Sequence, residues 1–465
     1  MLILNNNAPS STLTSILTGD LPVFGQTTAE YTLLYASGCV VAAAPDAAES
    51  MIQALRKSVP SPGWGDTLRR HAVQAVQRMD QQIHAPFAPE CLTLYLHNQC
   101  NLACAYCYTD PDHLAGERLQ PEAIASAATL VAENCRAKGL PLTVVFHGGG
   151  EPSLFQDQVE QALALVDEAA RRHGLRQFRY IATNGIMPET KVRWLADRFD
   201  LIGLSCDGTP DIQDRQRPRH GGGGTSAAME RTARGLRDIG KPFHIRVTIT
   251  RASMRRQAEI AAYLCQVLAP DEIHFEPVYY GGKTNGASAL VEVEARAFVE
   301  EFLAAQTIAQ QHGISLTCSG SRVNAIHGAY CHVFRQVLNL VPSGTATACF
   351  KLTRREQLER HNAQIGDFSS EAGFMLDQRQ ISDLREQLGA LPDACIDCFN
   401  RFHCTRSCPD ECLLSGSVDA QSSFRCQVQQ LLAYRRVRAA ADEVWSQRRG
   451  ESIVGVHLDH AEGVS

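Results

Sequence analysis

No run of 18 apolar residues occurs in this chain, so no membrane-spanning helix is expected. Basic residues are not in excess either: 44 Lys and Arg stand against 50 Asp and Glu, for a formal net charge of −6. Without a basic footprint, DNA and RNA are not expected as partners, and neither is a membrane. Met1 to Ser10 has no positive n-region and no apolar h-region, so a cytoplasmic protein is expected rather than a secreted one. No internal repeat of about 20 to 50 residues recurs, and low-complexity sequence is confined to Gly221–Gly224. What the chain does have is bulk and thiol. Its 465 residues are 44% hydrophobic and 20% charged, which excludes disorder of the whole chain and allows two or three domains, or one barrel with additions. It also carries 17 cysteines, which without export point to metal or cluster ligation before disulfides.

The cysteines are unevenly spread. Cys39, Cys91, Cys135, Cys206, Cys265 and Cys318 stand alone and read as small core hydrophobes. Cys100, Cys104 and Cys107 form one group; Cys395, Cys398, Cys404, Cys408, Cys412 and Cys426 form another, with Cys331 and Cys349 upstream. Around them the pattern organises the chain. A lead-in over residues 1–88 predicts a hairpin from Tyr31–Leu34 and Val40–Ala43, then helices at Ala47–Lys57 and Thr67–Ile83. Strand and helix signals then alternate. Strands are predicted at Leu92–Leu96, Leu142–Phe146, Phe178–Ala182, Leu201–Ser205, Phe243–Ile249 and Glu272–Glu276. Six strands with intervening helices predict a parallel α/β sheet, open or curled into a partial (β/α)6 TIM-like barrel, with its chemistry at the C-terminal strand ends. A helix is predicted over Glu294–Gln311, the alternation stops beyond Ser319, and a long helix over Gln427–Arg449 closes the chain.

Cys100-Asn-Leu-Ala-Cys104-Ala-Tyr106-Cys107-Tyr108 directly follows the first predicted barrel strand. Three thiolates at this spacing can ligate three irons of a [4Fe–4S] cluster and leave the fourth open for a ligand. A zinc site is the competing reading, but it normally wants four protein ligands, and no fourth Cys or His sits at a matching offset. Phe146-His-Gly-Gly149-Gly150-Glu151-Pro152 closes the second strand, Thr183-Asn184-Gly185 the third, and Ser205-Cys206-Asp207-Gly208 the fourth. With these motifs the sequence resembles the radical SAM superfamily. The resemblance implies that Cys100, Cys104 and Cys107 hold the cluster that binds S-adenosylmethionine. It also implies that Tyr106, Gly149, Gly150, Glu151, Asn184 and Ser205 contact that cofactor. Glycines let backbone approach a ligand, and a carboxylate can pair with the methionyl ammonium. The family usually has an aliphatic residue at the position of Cys206, which reads as packing.

Downstream, Cys331-x12-Gly344-x4-Cys349 and Cys395-x2-Cys398-x5-Cys404-x3-Cys408-x17-Cys426 resemble the SPASM extension of radical SAM enzymes, with two auxiliary [4Fe–4S] clusters. By that resemblance Cys395, Cys398, Cys404 and Cys426 hold the distal cluster, and Cys331, Cys349 and Cys408 hold three irons of the nearer one. Its fourth ligand is Cys412 or Cys318, or the position stays open for a substrate thiolate; Cys412 lies outside the template and reads equally as a bystander. Two zinc knuckles are the competing reading.

The implied division is a lead-in at 1–88, a radical SAM core at 89–318, a cysteine-rich SPASM domain at 319–430 and a helix and tail at 431–465. The implied activity is reductive cleavage of S-adenosylmethionine to a 5′-deoxyadenosyl radical. That radical abstracts hydrogen from a ribosomally made peptide or protein, installing a thioether or carbon–carbon cross-link or another oxidative modification. Three [4Fe–4S] clusters, S-adenosylmethionine, a peptide or protein substrate and an external donor such as flavodoxin or ferredoxin are the implied cofactors and partners. One alternative is a formylglycine-generating sulfatase maturase, whose branch typically has Asp where Phe350 follows Cys349. A second is a non-catalytic iron–sulfur electron carrier, which leaves Gly149-Gly150-Glu151 unexplained. The lead-in reads either as a leader-peptide docking module acting by strand addition or as a plain cap on the barrel.

Overall fold

The computed structural model describes residues 12–17, 21–109, 116–278, 294–319, 322–327, 333–389, 393–404 and 424–458. Among them, no helix is long and apolar enough to cross a membrane.

The chain opens with strands β1 (Thr14–Ser15), β2 (Phe24–Thr27), β3 (Thr32–Ala36) and β4 (Cys39–Ala43), then helices α1 (Pro45–Arg56) and α2 (Trp64–His84). The predicted hairpin is β3–β4, and every residue of both strands is buried, because helices cover both faces of the sheet. Leu34, Ala36, Cys39 and Val41 pack against α1 and α2, whereas Tyr35, Val40 and Ala42 pack against the closing helix of the chain.

The alternating segment folds as predicted. It runs β5 (Cys91–Leu94), α3 (Pro121–Lys138), β6 (Leu142–Phe146), α4 (Gln156–His173), β7 (Gln177–Thr183), α5 (Glu189–Arg198) and β8 (Leu201–Ser205). It continues through α6 (Pro210–Gln216), α7 (Ser226–Ile239), β9 (Phe243–Ile249), α8 (Gln257–Tyr263), β10 (Glu272–Pro277), α9 (Ala295–Gln311) and β11 (Ser315–Cys318). Neighbouring strands pair in parallel from β5 to β11, so one parallel strand beyond the six predicted is added at the edge. Side chains alternate across a strand. One set, including Leu92, Leu94, Val144, Phe146, Ile202, Leu204, Ile245, Val247, Ile273 and Phe275, is buried in the main hydrophobic cluster with the helices. The other set is largely polar: Thr93, Tyr95, Tyr180, Ser205, His244, Arg246, His274 and Glu276. The inner face of the curved sheet is therefore suited to a polar ligand.

Regular structure does not end at Ser319. After α10 (Val333–Gln336), strand β12 (Val337–Leu340) returns to pair in parallel with β5. Strand β13 (Ala346–Thr347), helix α11 (Arg355–Arg360) and strands β14 (Gln364–Ser369) and β15 (Gly373–Leu376) follow, the three strands extending the sheet as an antiparallel meander. Helices α12 (Gln378–Gly389) and α13 (Asp393–Ile396) lead into the second cysteine group. The chain closes with α14 (Phe424–Gln447) and β16 (Ile453–His457). β16 pairs antiparallel with β4, so it extends the sheet formed by β1 to β4.

Candidate functional site

Cys100, Cys104 and Cys107 lie on the loop leaving β5, at the end of the sheet where the parallel strands finish. The loop is tied to the segment after α6. Ala103 donates its backbone N–H to the Pro218 carbonyl at 2.8 Å, Ala105 to the Gln216 carbonyl at 2.9 Å, and His220 to the Asn101 carbonyl at 3.4 Å. All three thiols are half-buried. Burial pushes the Cys100 thiol up to about 12, with the Glu151 carboxylate adding to the effect. It pushes Cys104 up to about 11 against the opposing charge of Arg217. Only one set of three donor atoms among the described residues lies within 4.8 Å of one another, and it is elsewhere in the molecule. At least one pair of the loop thiols is therefore more than 4.8 Å apart.

The neighbouring strand ends lock onto this loop. Glu151 is 3% exposed, and its carboxylate accepts from Thr183 Oγ1 at 2.7 Å, Asn184 N at 2.7 Å and Ser153 N at 3.1 Å. It therefore ties the end of β6 to the end of β7. Asn184 in turn donates Nδ2 to Asn101 Oδ1 at 2.7 Å and lies 3.9 Å from Cys100 Sγ. The glycines before Glu151 are explained by backbone packing. A Cβ on Gly150 would lie 1.8 Å from the Gln99 carbonyl oxygen, and one on Gly149 would lie 2.7 Å from that of His97, with Gly149 also at φ +67°. Gly150 N donates to His97 O at 3.1 Å and Glu151 N to Gln99 O at 2.8 Å. Close approach is required, as expected, but the partner seen here is the chain that carries Cys100.

A second anchor was not singled out from the sequence. Asp207, fully buried at the end of β8, accepts from Tyr106 Oη at 2.7 Å, Gln216 Nε2 at 2.8 Å and Thr248 N at 3.0 Å. Arg217 Nε lies 3.0 Å from the oxygen that accepts from Thr248 N, and the guanidinium sits 5.4 Å from the Tyr106 ring centre. Tyr106 is thus fixed by its hydroxyl, and Arg217, on the segment after α6, places a buried cation beside Cys104. Cys206 is buried in the core, as its packing reading requires. Ser205 stands on the inner face opposite Arg246 in the β8–β9 register.

Residues 94–261 match the family model of the Radical SAM superfamily, a segment that contains the cysteine loop and the three strand-end motifs that follow it. These residues form a radical SAM domain. The chain is 31% identical over 198 residues to mycofactocin maturase MftC of Mycobacterium ulcerans, a match covering 40% of this chain and 48% of that protein. The same maturase of Mycolicibacterium smegmatis is 31% identical over 201 residues, covering 41% and 46%. The match therefore spans about half the length of these curated relatives. Among solved structures, anSMEcpe with bound AdoMet superposes with a TM-score of 0.61 at 17% identity, over 76% of this chain and 99% of that one. Streptococcus suis SuiB bound to precursor peptide SuiA superposes with a TM-score of 0.53 at 15% identity, over 80% and 82%. At such identities the likeness is one of fold.

Beyond the radical SAM domain, Cys331, Cys408 and Cys412 lie outside the described residues. Cys349 is buried, and Cys395, Cys398, Cys404 and Cys426 are half-buried. The Cys398 thiol is pushed up to about 11, by burial first and by neighbouring Cys395. The 395–404 segment rests on the N-terminal sheet: Phe399 meets the Tyr35 ring edge-on at 6.3 Å, and His403 Nε2 is 2.7 Å from Tyr35 Oη. Phe350 packs edge-on against Tyr108 at 5.8 Å, and its carbonyl accepts from Tyr95 Oη at 2.9 Å. Where a maturase of sulfatases typically has a carboxylate, this chain has a ring joining the loop after Cys107 to the loop after Cys349. Cys318 is buried at the end of β11, near Glu276 and Arg425.

Proposed function

We propose that this chain is a radical SAM maturase of a ribosomally made peptide or protein, with a SPASM extension carrying two auxiliary clusters. The observation that carries the reading is the three-cysteine loop clamped by Glu151, Asn184 and Asp207 above a polar inner sheet face. When bound, the cluster and S-adenosylmethionine together supply a 5′-deoxyadenosyl radical able to take hydrogen from an unactivated carbon. Cys100, Cys104 and Cys107 hold three irons of that cluster. Gly149, Gly150, Glu151, Asn184 and Ser205 form the rim assigned to the methionyl and ribose groups, with Tyr106 fixing the loop beneath. Glu151 retains an unfilled acceptor site on Oε2, which takes one hydrogen bond from the chain, so pairing with an ammonium is compatible with its structural bonds.

Cys331, Cys349 and Cys408 are assigned to the nearer auxiliary cluster, and Cys395, Cys398, Cys404 and Cys426 to the distal one. The mycofactocin maturases support a peptide substrate, and an external one-electron donor of the flavodoxin or ferredoxin kind is required by the chemistry. The packed Phe350 ring gives no support to sulfatase maturation. Anaerobic reconstitution should yield about twelve irons per chain. The Cys100→Ala/Cys104→Ala/Cys107→Ala variant should lose about four of them and all formation of 5′-deoxyadenosine. Retained cleavage in that variant would overturn the assignment.

A further inference from the structure

The set of three donor atoms mentioned above lies on the N-terminal sheet, far in sequence from either cysteine group. Cys39 begins β4, His71 is on α2, and His457 ends β16, directly opposite Cys39 in the strand register. Their ligand atoms all fall within 4.8 Å of one another. We propose that Cys39, His71 and His457 bind a single Zn²⁺ ion that clips β16 to the N-terminal sheet.

The geometry supports an ion over an accidental grouping. His71 Nδ1 is 3.0 Å from the Ser37 carbonyl oxygen, which can only accept. Nδ1 therefore carries the proton, and Nε2 presents a lone pair. Fixing the tautomer through the far ring nitrogen is how metal-ligating histidines are usually oriented. That Nε2 lies 3.1 Å from His457 Nδ1. Two nitrogens each at about 2.0–2.1 Å from a tetrahedral zinc are separated by about 3.3 Å, close to the distance found. The Cys39 thiol completes a Cys-His-His set of the borderline-soft kind that zinc prefers, reached by a side-chain adjustment of ~1 Å.

The surroundings fit a structural ion. Cys39 is buried, His71 half-buried and His457 exposed, so the fourth position faces water. The Trp64 ring lies 5.5 Å from that of His457 and covers one flank. Without an ion, the same atoms amount to a hydrogen-bonded imidazole pair beside a thiol packed as a small hydrophobe.

The test is zinc content and zinc coordination of the full, cluster-loaded chain, measured after exchange into zinc at a slight molar excess and removal of the unbound metal. We expect one zinc per chain. Its X-ray absorption edge should report one sulfur at about 2.3 Å and two nitrogens at about 2.0 Å. His457→Ala, at an exposed position, should drop zinc to below a tenth of that value with iron content and circular dichroism unchanged; His457→Cys should restore it. Absence of zinc in the wild type, a sulfur-only shell, or equal zinc in the His457→Ala chain would each overturn the proposal, the last two by placing zinc on the cluster cysteines instead.

Discussion

Gly150→Ala isolates the contact that sets the cysteine loop against the barrel. The new Cβ would start 1.8 Å from the Gln99 carbonyl oxygen and 2.5 Å from its carbonyl carbon, both backbone atoms. Relief requires the 97–99 segment to move by at least ~1.2 Å, since packed interiors have no slack of that size. That movement breaks the Gly150–His97 and Glu151–Gln99 backbone bonds of 3.1 and 2.8 Å. Overpacking costs about 1–3 kcal/mol and each lost bond about 1 kcal/mol, so about 3–5 kcal/mol is expected if the loop stays in place. If it yields instead, Cys100 shifts by ~1 Å, a misplacement that can lower a rate about 100-fold. Gly174→Ala is the control: it forces a left-handed residue, at φ +64°, which Gly150→Ala does not, but its Cβ meets nothing within 4 Å. It should cost only about 1 kcal/mol. The assay is denaturant unfolding together with iron content and the rate of 5′-deoxyadenosine formation on the same reconstituted samples. A Gly150→Ala protein that matched the wild type in all three would refute the reasoning, as would one no worse than Gly174→Ala.

Asp207→Asn leaves the buried Arg217 without its counter-charge and should cost about 3–5 kcal/mol, read by urea unfolding, with iron at the first cluster falling in parallel. Cys395→Ala and Cys426→Ala should keep some uncoupled 5′-deoxyadenosine formation while losing modified peptide, provided iron content and circular dichroism show the rest of the chain folded. Full product from such a variant would make the four distal cysteines purely structural. Glu276 is held well below the usual carboxylate range: burial alone would raise it, but Arg425, 2.7 Å away, outweighs burial, and His274 adds to the effect. A depressed folded value means stability that is present above the unfolded carboxylate value of about 4.3 and lost as pH falls below it. The stability difference between wild type and Glu276→Gln should therefore shrink from pH 6 to pH 3.5, and a difference independent of pH would contradict it.

The barrel was legible because its signals are local. β6, β8 and β9 run over Leu142–Phe146, Leu201–Ser205 and Phe243–Ile249, the limits predicted from apolar runs and alternation bounded by turn residues. Two of the strands absent from the sequence reading have partners distant in sequence, whereas β1, β2, β13, β14 and β15 pair with near neighbours. β12 is four residues long and joins the parallel sheet by pairing with β5, more than 240 positions earlier, and β16 likewise depends on β4. Neither carries a pattern that distinguishes it from a loop until its neighbour is known. The break in alternation after Ser319 is real, but it marks a change from parallel to mainly antiparallel pairing and not the end of the sheet.

The site divides along the same line. Cysteine spacing is a local signal, since a short loop must hold its thiols near one another, and so Cys100, Cys104 and Cys107 are proposed as cluster ligands from sequence alone. The residues that hold the loop could not. Asp207, Gln216 and Arg217 meet Tyr106 across about a hundred positions, and Gln216 and Arg217 carry no motif. A signal was nevertheless present in Asp207: a carboxylate placed at the end of a strand whose neighbours Leu204 and Cys206 are core residues has to be paired, and the nearest basic residue following α6 is Arg217. The glycines show the converse. Their number and position were visible, yet sequence alone does not say what approaches them. The carbonyls of His97 and Gln99 fill that space, so the run Gly148–Gly150 shapes the cluster loop before it shapes any ligand contact.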